Sequence, residues 1–309
     1  MRAAHLDASL AGWDYEAVRL QTALQAAQAY LDALGAQERL KVLRDFVSIA
    51  EKTRSSVEIR VREGRASPID ADRSLVAVAR ARALFKGEEA RLDAAKRKLS
   101  ALWGSERPDF GRVTGRLGHQ VTVPAFETVK AFLEENPALA RWSDGISQRL
   151  ALLEVEKGKA IRDIKVGAGV RHFRDDDSTA LVAAVSMPLQ VFDRNGGAIA
   201  AAQRRLVKAE HEAGAARTQL IGSLVEALGA LKVAATLVQA LEQEVLPAAQ
   251  TAFDRVQIGY NEGRFDILNL LEAQRSVFET RLELISTQAD YAKARVLVES
   301  LIGRNLKGL

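Results

Sequence analysis

Apolar residues recur at steps of three and four along most of the 309-residue chain, a spacing that predicts helices. In two stretches the apolar positions step by seven instead: Val78, Phe85, Leu92 and Leu99, and then Val277, Leu284, Tyr291 and Val298. A step of seven keeps one seam of a helix against a neighbouring helix, as in a coiled coil. Helices of about 45 residues are roughly 65–70 Å long at 1.5 Å per residue. Such helices must lie along one another, in a bundle or a tube.

An internal repeat relates the two seams. Glu63-Gly64-Arg65 recurs as Glu262-Gly263-Arg264, and a single offset of 199 residues aligns both triplets and both seams without a gap. In each copy the glycine is followed by another glycine 40 residues later, at Gly104 and at Gly303. We therefore predict that the chain contains two copies of one helical hairpin.

Each EGR triplet is predicted to be a tight turn between two antiparallel helices. A glycine can adopt the positive φ that ends the incoming helix. Pro68, Asp70 and Asp266 follow the triplets and suit the first turn of the outgoing helix. A further long helical run reaches Val245, and Pro247 predicts a break or kink there.

Residues 161–192 have a period of two, which predicts a β-hairpin. Ile164, Val166, Ala168 and Val170 alternate with polar or small residues, and a more apolar second strand follows from Ala180 to Leu189. An isolated hairpin is only marginally stable in water. Either it packs on the helices, or it joins hairpins of other subunits in a closed membrane barrel; the pattern fits both.

The hairpin and the repeat suggest a division of the chain into four segments. Residues 1–104 are the second half of a first repeat, and 105–135 are a linker with a short extended piece at Gln120–Val123. Residues 136–303 are the second repeat, beginning with a helix from Pro137 to about Lys159, and 304–309 are a tail.

Composition argues against several classes of function. The formal charge of +4 is spread over both signs without a basic stripe, which disfavours nucleic-acid binding. There is no cysteine, and the four histidines are scattered, so we expect no metal site, no cofactor and no enzymatic activity. No stretch approaches the roughly 20 apolar residues of a spanning helix. The first residues do not resemble a signal peptide.

Three motifs resemble those of the TolC-like outer-membrane efflux proteins. Tyr260–Arg275 resembles the family signature Y-x-x-G-x-x-x-x-x-D/N-x-L-D/E-A-Q-R, and Asn136–Leu139 resembles the N-P-x-L helix start. Pro188–Gly197 resembles the P-L-x-x-F-D-R-N-x-G corner between strand and helix. That corner is most similar to the heavy-metal cation-efflux branch of the family.

The resemblance implies a mainly α fold: long antiparallel coiled-coil helices, with one β-hairpin that contributes to a trimeric outer-membrane β-barrel. It implies a homotrimer in outer-membrane lipid, with a helical tube in the periplasm. It also implies two partners, a periplasmic adaptor protein and an inner-membrane pump of the RND type. The implied function is efflux of small solutes, with heavy-metal cations as the expected substrates, and without catalysis.

The resemblance also implies roles for particular residues. The adaptor is expected to contact the two turns, at Arg62, Glu63, Gly64, Arg65, Ala66, Glu262, Gly263, Arg264 and Phe265. The periplasmic constriction, or gate, is expected to involve Asp70, Asn269, Glu272 and Tyr260. The family has an aspartate where this chain has Asn269. A carboxylate ring with one member per subunit attracts cations, although capping of a helix is the other reading of Asp70 and Glu272.

Two alternatives remain open at this level. Under the offset Met1 corresponds to about Ala200, so we expect the first-copy counterpart of 137–199 and an export signal to be missing, which makes a truncated fragment one alternative. A soluble helical coiled-coil scaffold is the other.

Overall fold

The computed structural model describes residues 2–117, 121–161, 163–175, 177–187 and 194–306. The described elements are, in chain order, α1 (Arg2–Arg62), α2 (Pro68–Ala101), α3 (Phe126–Lys130), α4 (Pro137–Lys159), β1 (Lys165–Phe173), β2 (Ser178–Ser186), α5 (Gly196–Ala240), α6 (Leu246–Asn261) and α7 (Ile267–Ile302). A 3₁₀ turn at Leu133–Glu135 precedes α4, and a π-helical turn at Leu241–Val245 joins α5 to α6. The predicted mainly helical fold with one hairpin is confirmed.

The chain forms two compact units. Unit 1 consists of residues 1–17 and 134–220, and unit 2 consists of residues 18–133 and 221–309. This division follows contacts in space, whereas the division predicted from the sequence follows the internal repeat. The repeat-based division therefore stays a prediction.

In unit 2 the two copies of the repeat have the same local structure. α2 begins at Pro68 and α7 at Ile267, positions that the 199-residue offset makes equivalent. The predicted seams face inward: five of their eight residues are buried and three half-buried. Gly104 and Gly303 have φ values of 79° and 68° and follow the ends of these helices, as predicted.

The core of unit 2 joins α1 to α2 and α7. Phe46 of α1 packs against Phe278 of α7 with ring centroids 4.5 Å apart. Two polar contacts cross the same interfaces. Gln274 donates a hydrogen bond to the Thr53 hydroxyl at 2.8 Å, with both side chains buried, and Arg39 pairs with the buried carboxylate of Glu88 at 2.8 Å. Buried polar groups must be paired, so these contacts select one register of the helices.

Side-chain hydrogen bonds connect the linker of unit 2 to its helices. Val123 and its described neighbours belong to no strand, Gln120 lies outside the described residues, and the extended piece stays a prediction. The backbone of Thr122 instead exchanges two 2.9 Å hydrogen bonds with the Tyr291 hydroxyl. The Gln37 amide does the same for Val113 at 3.1 Å. Side chains of α1 and α7 thus satisfy linker backbone groups that a strand partner otherwise would.

In unit 1, α4 begins and ends where predicted. Pro137 occupies its first turn, and the Asn136 side chain caps it by accepting a hydrogen bond from the Ala138 N–H at 2.8 Å. After α4, β1 and β2 pair in antiparallel register from Lys165↔Ser186 to Phe173↔Ser178. The predicted hairpin is confirmed, and residues 162, 176 and 188–192 of the predicted span lie outside the described residues.

The long helix after the hairpin is interrupted where a break or kink was predicted. A π-helical turn at Leu241–Val245 ends two residues before Pro247, and α6 then continues with Pro247 in its first turn. The segment Gly196–Asn261 also contains a stretch long and apolar enough, by length and composition alone, to cross a membrane. The prediction that no stretch approaches such a length is therefore wrong, although the core helix of a folded protein meets the same criterion.

Candidate functional site

The first EGR turn joins α1 to α2 by a glycine C-cap. Gly64 has a φ of 70°, and the Arg65 N–H donates to the Arg60 carbonyl at 2.7 Å. This six-residue hydrogen bond with a left-handed glycine is the Schellman motif. Of the predicted adaptor contacts, Arg62, Glu63, Gly64 and Arg65 are exposed and Ala66 is half-buried. Arg65 pairs with Glu63 at 3.3 Å across the tip.

The second EGR turn joins α6 to α7 with the same backbone. Gly263 has a φ of 76°, and the Arg264 N–H donates to the Gly259 carbonyl at 2.7 Å. Arg264 forms an ion pair with Glu262, as Arg65 does with Glu63. Glu262, Gly263, Arg264 and Phe265 are all exposed. Both turns are confirmed as turns, whereas their contact with an adaptor stays a prediction.

A cation–π contact holds the two turns together at one end of unit 2. The Arg60 guanidinium lies 4.2 Å from the centroid of the Tyr260 ring. Its Nη1 also donates to the Tyr260 carbonyl at 3.1 Å. Beneath this contact Val57, Ile267 and Leu270 are buried with Tyr260 in one apolar cluster. The two tips therefore lie side by side, as the predicted doubled hairpin requires.

Gly259 is a packing position of the second turn that sequence reasoning missed. A Cβ at Gly259 would lie 2.3 Å from the Phe265 ring, well inside contact distance. Phe265 thus packs over the bare backbone of the last turn of α6. The offset contained the signal, because Gly259 is equivalent to Arg60 and Phe265 to Ala66. The first copy therefore has its large side chain at the first of these two positions, and the second copy has it at the second.

The predicted gate residues Asp70 and Asn269 occupy equivalent positions in the first turns of α2 and α7. The Asp70 carboxylate accepts a hydrogen bond from the Ser67 N–H at 3.1 Å, which completes a capping box, and pairs with Arg73 at 3.6 Å. Asn269 uses its backbone N–H, which donates to Asp266 at 2.9 Å, and its side chain is exposed. Asp70 therefore caps a helix whether or not it also contributes to a gate.

The other two gate candidates differ in environment. Glu272 is exposed and lines a groove of about 540 Å³ between α2 and α7; within the described part of the chain it makes no ion pair. Tyr260 is buried, and burial raises the pKa of its hydroxyl, opposed by the nearby Arg60 cation. Of the four predicted gate residues, Glu272 is the one whose carboxylate stays available to a solute. The gate assignment as a whole stays a prediction.

The hairpin of unit 1 exposes an apolar face. Val166 pairs with Val185, and Val170 with Leu181, so all four side chains point to the same side. Their exposed fractions lie between 68% for Val170 and 89% for Leu181. An exposed apolar patch of this kind is typical of a surface that contacts lipid or another protein.

Asn195 closes the stem of the hairpin. It has a φ of 59°, a conformation that asparagine tolerates better than most residues. Its Nδ2 donates to the Glu156 carbonyl at 2.8 Å and to the Glu156 carboxylate at 3.0 Å. Hydrogen bonds from Lys159 and then from Asn195 lower the pKa of Glu156. Asn195 belongs to the predicted strand-to-helix corner, whose residues 188–193 lie outside the described residues.

Metal-binding side chains do not cluster in the described ranges, where no group of three or more histidine or acidic residues has the geometry to hold an ion.

Residues 133–304 match the family model described as outer membrane efflux protein. The chain is 32% identical over 297 residues to the cobalt-zinc-cadmium resistance protein CzcC of Cupriavidus metallidurans, covering 96% of this chain and 70% of that relative.

Solved structures show the same fold. CusC, which folds to form a transmembrane channel, has a TM-score of 0.83 at 16% identity, with 98% of this chain and 73% of that chain covered. The open MtrE outer membrane channel of Neisseria gonorrhoeae has a TM-score of 0.81 at 18% identity, with 99% and 71% covered.

Proposed function

The chain belongs to the outer membrane efflux protein family and is an outer-membrane channel component of an efflux system, and we propose that its substrates are heavy-metal cations. The observation that carries the substrate is the 32% identity, over nearly the whole chain, to a cobalt-zinc-cadmium resistance protein. A nickel-cobalt-cadmium resistance protein from Alcaligenes xylosoxydans xylosoxydans is 23% identical over 214 residues, or 67% of this chain and 48% of that relative.

The hairpin is the membrane segment in this proposal. Its apolar face, formed by Val166, Val170, Leu181 and Val185, faces lipid, and its small-residue face, with Gly167 and Gly169, faces the lumen. Nine residues per strand approach the length that a tilted membrane strand needs, about nine to eleven residues. Pairing with hairpins of other copies in a homotrimer satisfies the outer backbone groups of both strands.

The two EGR tips are the contact for a periplasmic adaptor, which connects the channel to an inner-membrane pump. The tips carry exposed charges of both signs, Glu63 and Arg65 in one and Glu262 and Arg264 in the other. Their proximity through the Arg60–Tyr260 contact presents them as one surface.

Glu272 is the gate residue that the geometry supports best. One copy per subunit gives a ring of three carboxylates in a trimer, and such a ring attracts cations to a constriction. In the first copy the equivalent residue is Arg73, which pairs with Asp70 at 3.6 Å. At this pair of equivalent positions, the second copy therefore has a carboxylate that no described residue pairs with, and the first copy has an arginine.

Metal resistance of the host tests the substrate and the gate. Deletion of the gene should lower the tolerated concentrations of cobalt, zinc and cadmium, and the wild-type gene should restore them. Glu272→Gln should restore only part of the resistance, because the carboxylate ring is neutralised. Glu283→Gln, an exposed α7 residue outside the groove, is the control and should restore resistance in full.

Unchanged metal tolerance after deletion of the gene would contradict the proposal that heavy-metal cations are the substrates. Equal resistance in the Glu272 and Glu283 variants would contradict the gate alone. A soluble helical scaffold, the competing hypothesis, requires the oligomer to remain in aqueous buffer without detergent, whereas the channel requires fractionation with the outer membrane.

A further inference from the structure

Unit 1 contains a cleft that the channel function leaves unused. It has a volume of about 440 Å³ and lies between the first helix, α4 and α5. We call it the α4–α5 cleft; its charged and aromatic lining consists of Arg141, Trp142, Arg149, Arg205, Lys208 and Glu212. Ligand sites commonly measure about 300–1,000 Å³, so the cleft has room for a small organic molecule.

The charges in the cleft are not balanced. Two of the four cations have carboxylate partners: Arg141 pairs with Asp14 at 3.2 Å, and Lys208 pairs with Glu212 at 3.6 Å. The other two, Arg149 and Arg205, make no hydrogen bond or ion pair to any described residue. Arg205 has only a weak Coulomb interaction with Glu156.

The two unbalanced arginines come from opposite walls of the cleft, Arg149 from α4 and Arg205 from α5. Each guanidinium presents a planar fork of donors that matches the oxygens of a phosphate. Both residues are exposed and line the same cleft, so an anion bound there is attracted by two positive charges. The wall also contains the half-buried Trp142 with Leu10 and Ala209, which suits an apolar part next to the anionic group.

From this arrangement we propose that the α4–α5 cleft binds a phosphate group through Arg149 and Arg205. The phosphate belongs either to a free oxyanion or to the headgroup of a phospholipid. α4 leads into the hairpin and α5 follows it, with Arg149 ten residues before Lys159 and Arg205 nine residues after Gly196. At 1.5 Å per residue both arginines are roughly 15 Å from the helix ends that flank the hairpin, so the cleft is on the hairpin side of both helices and a lipid headgroup is one of the two sources to test.

Isothermal titration calorimetry on the detergent-solubilised protein tests the site. One arm uses inorganic phosphate, added at constant ionic strength against chloride, and the other uses a short-chain phosphatidylglycerol below its critical micelle concentration. The variant Arg149→Gln/Arg205→Gln should bind at least tenfold more weakly than wild type. Arg204→Gln is the matched control, since Arg204 is the neighbouring exposed residue of α5 and does not line the cleft.

Binding of phosphate alone supports the site with a free oxyanion as its ligand, and binding of the lipid alone supports it with a headgroup as its ligand. Absence of binding in both arms, or an equal loss in the Arg204→Gln control, overturns the proposal. Loss of subunit association in the double variant, measured by analytical ultracentrifugation, also overturns it and assigns the cleft to a contact between copies. None of these results depends on the exported substrate.

Discussion

The two EGR turns have the same backbone conformation but differ in the side chains that pack against it. In both, a left-handed glycine follows a long helix and a 2.7 Å hydrogen bond closes the turn, from Arg65 to Arg60 and from Arg264 to Gly259. At the equivalent pair of positions, the first turn has Arg60 and Ala66, and the second has Gly259 and Phe265.

Because of this exchange, a side chain of the second turn packs on the backbone of its own turn, whereas a side chain beside the first turn contacts the second turn. Phe265 folds back over Gly259 within its own turn. Arg60 has no large residue above it, because Ala66 is small, and it reaches across to the ring and carbonyl of Tyr260. Two copies of a repeat can thus keep the same backbone conformation and still differ in function: one copy stabilises its own turn, and the other connects the two turns.

The largest effect is expected from filling the space over the second turn. Gly259→Ala places a methyl group against the Phe265 ring and should lower the free energy of unfolding by about 1–3 kcal/mol. Thermal unfolding in detergent measures the change. Adding Phe265→Ala should remove the penalty, because the clash needs both side chains. Gly222→Ala, at a helical glycine with open space around it, should be neutral or stabilising by at most about 1 kcal/mol.

An equal loss in the Gly222 and Gly259 variants would show that the second turn does not depend on the Phe265 packing.

A smaller effect is expected from removing the arginine that connects the turns. Arg60→Ala loses the cation–π contact and one hydrogen bond, together about 1–2 kcal/mol. It should also raise the pKa of Tyr260 further, because the cation that opposes the effect of burial is gone. Ultraviolet titration of tyrosine, compared between the variant and wild type, measures this shift. Arg62→Ala, two residues later and exposed, is the control.

The raised pKa of Tyr260 also predicts how the stability of the folded protein changes with pH. The pKa of Tyr260 is raised in the folded state, so the neutral hydroxyl contributes stability that is present below about pH 10 and is lost as the pH rises. The loss should begin near the unfolded pKa in both proteins. A Tyr260 titration that is the same in the Arg60 variant and in wild type would contradict the contact.

The smallest effects are expected at the helix caps after each turn. Asp266→Ala removes the hydrogen bond to the Asn269 N–H and should cost about 1 kcal/mol, a typical value for a cap. Ser67→Ala removes a longer bond of 3.3 Å to Ile69, while Asp70 still accepts from the residue 67 N–H. We expect about half the effect, again on the scale of a single cap. Melting temperatures measure both, with the exposed Ser55→Ala as control; a larger loss for Ser67 would reverse the comparison.

Much of the fold was predictable because the signals are local or periodic. The seven-residue seams, the EGR glycines, the Asn136-Pro137 helix start and the alternation around Val166 each depend on backbone preferences or on one face of one element. The structure confirms each of these. The candidate site was predictable only in part: the turns were found, but Gly259 and the Arg60–Tyr260 contact were not.

The sequence by itself determined the turns at the two EGR triplets, the bounds of α4, the presence of the β-hairpin and the two copies of one helical hairpin, since steric preferences and hydrophobic periodicity act over a few residues. Only the tertiary structure decided which side chains meet across helices. Examples are Gln274 with Thr53 and Arg60 with Tyr260. The reason is that such contacts depend on the register and rotation of long helices against each other, which a shift of one residue along the pattern would change.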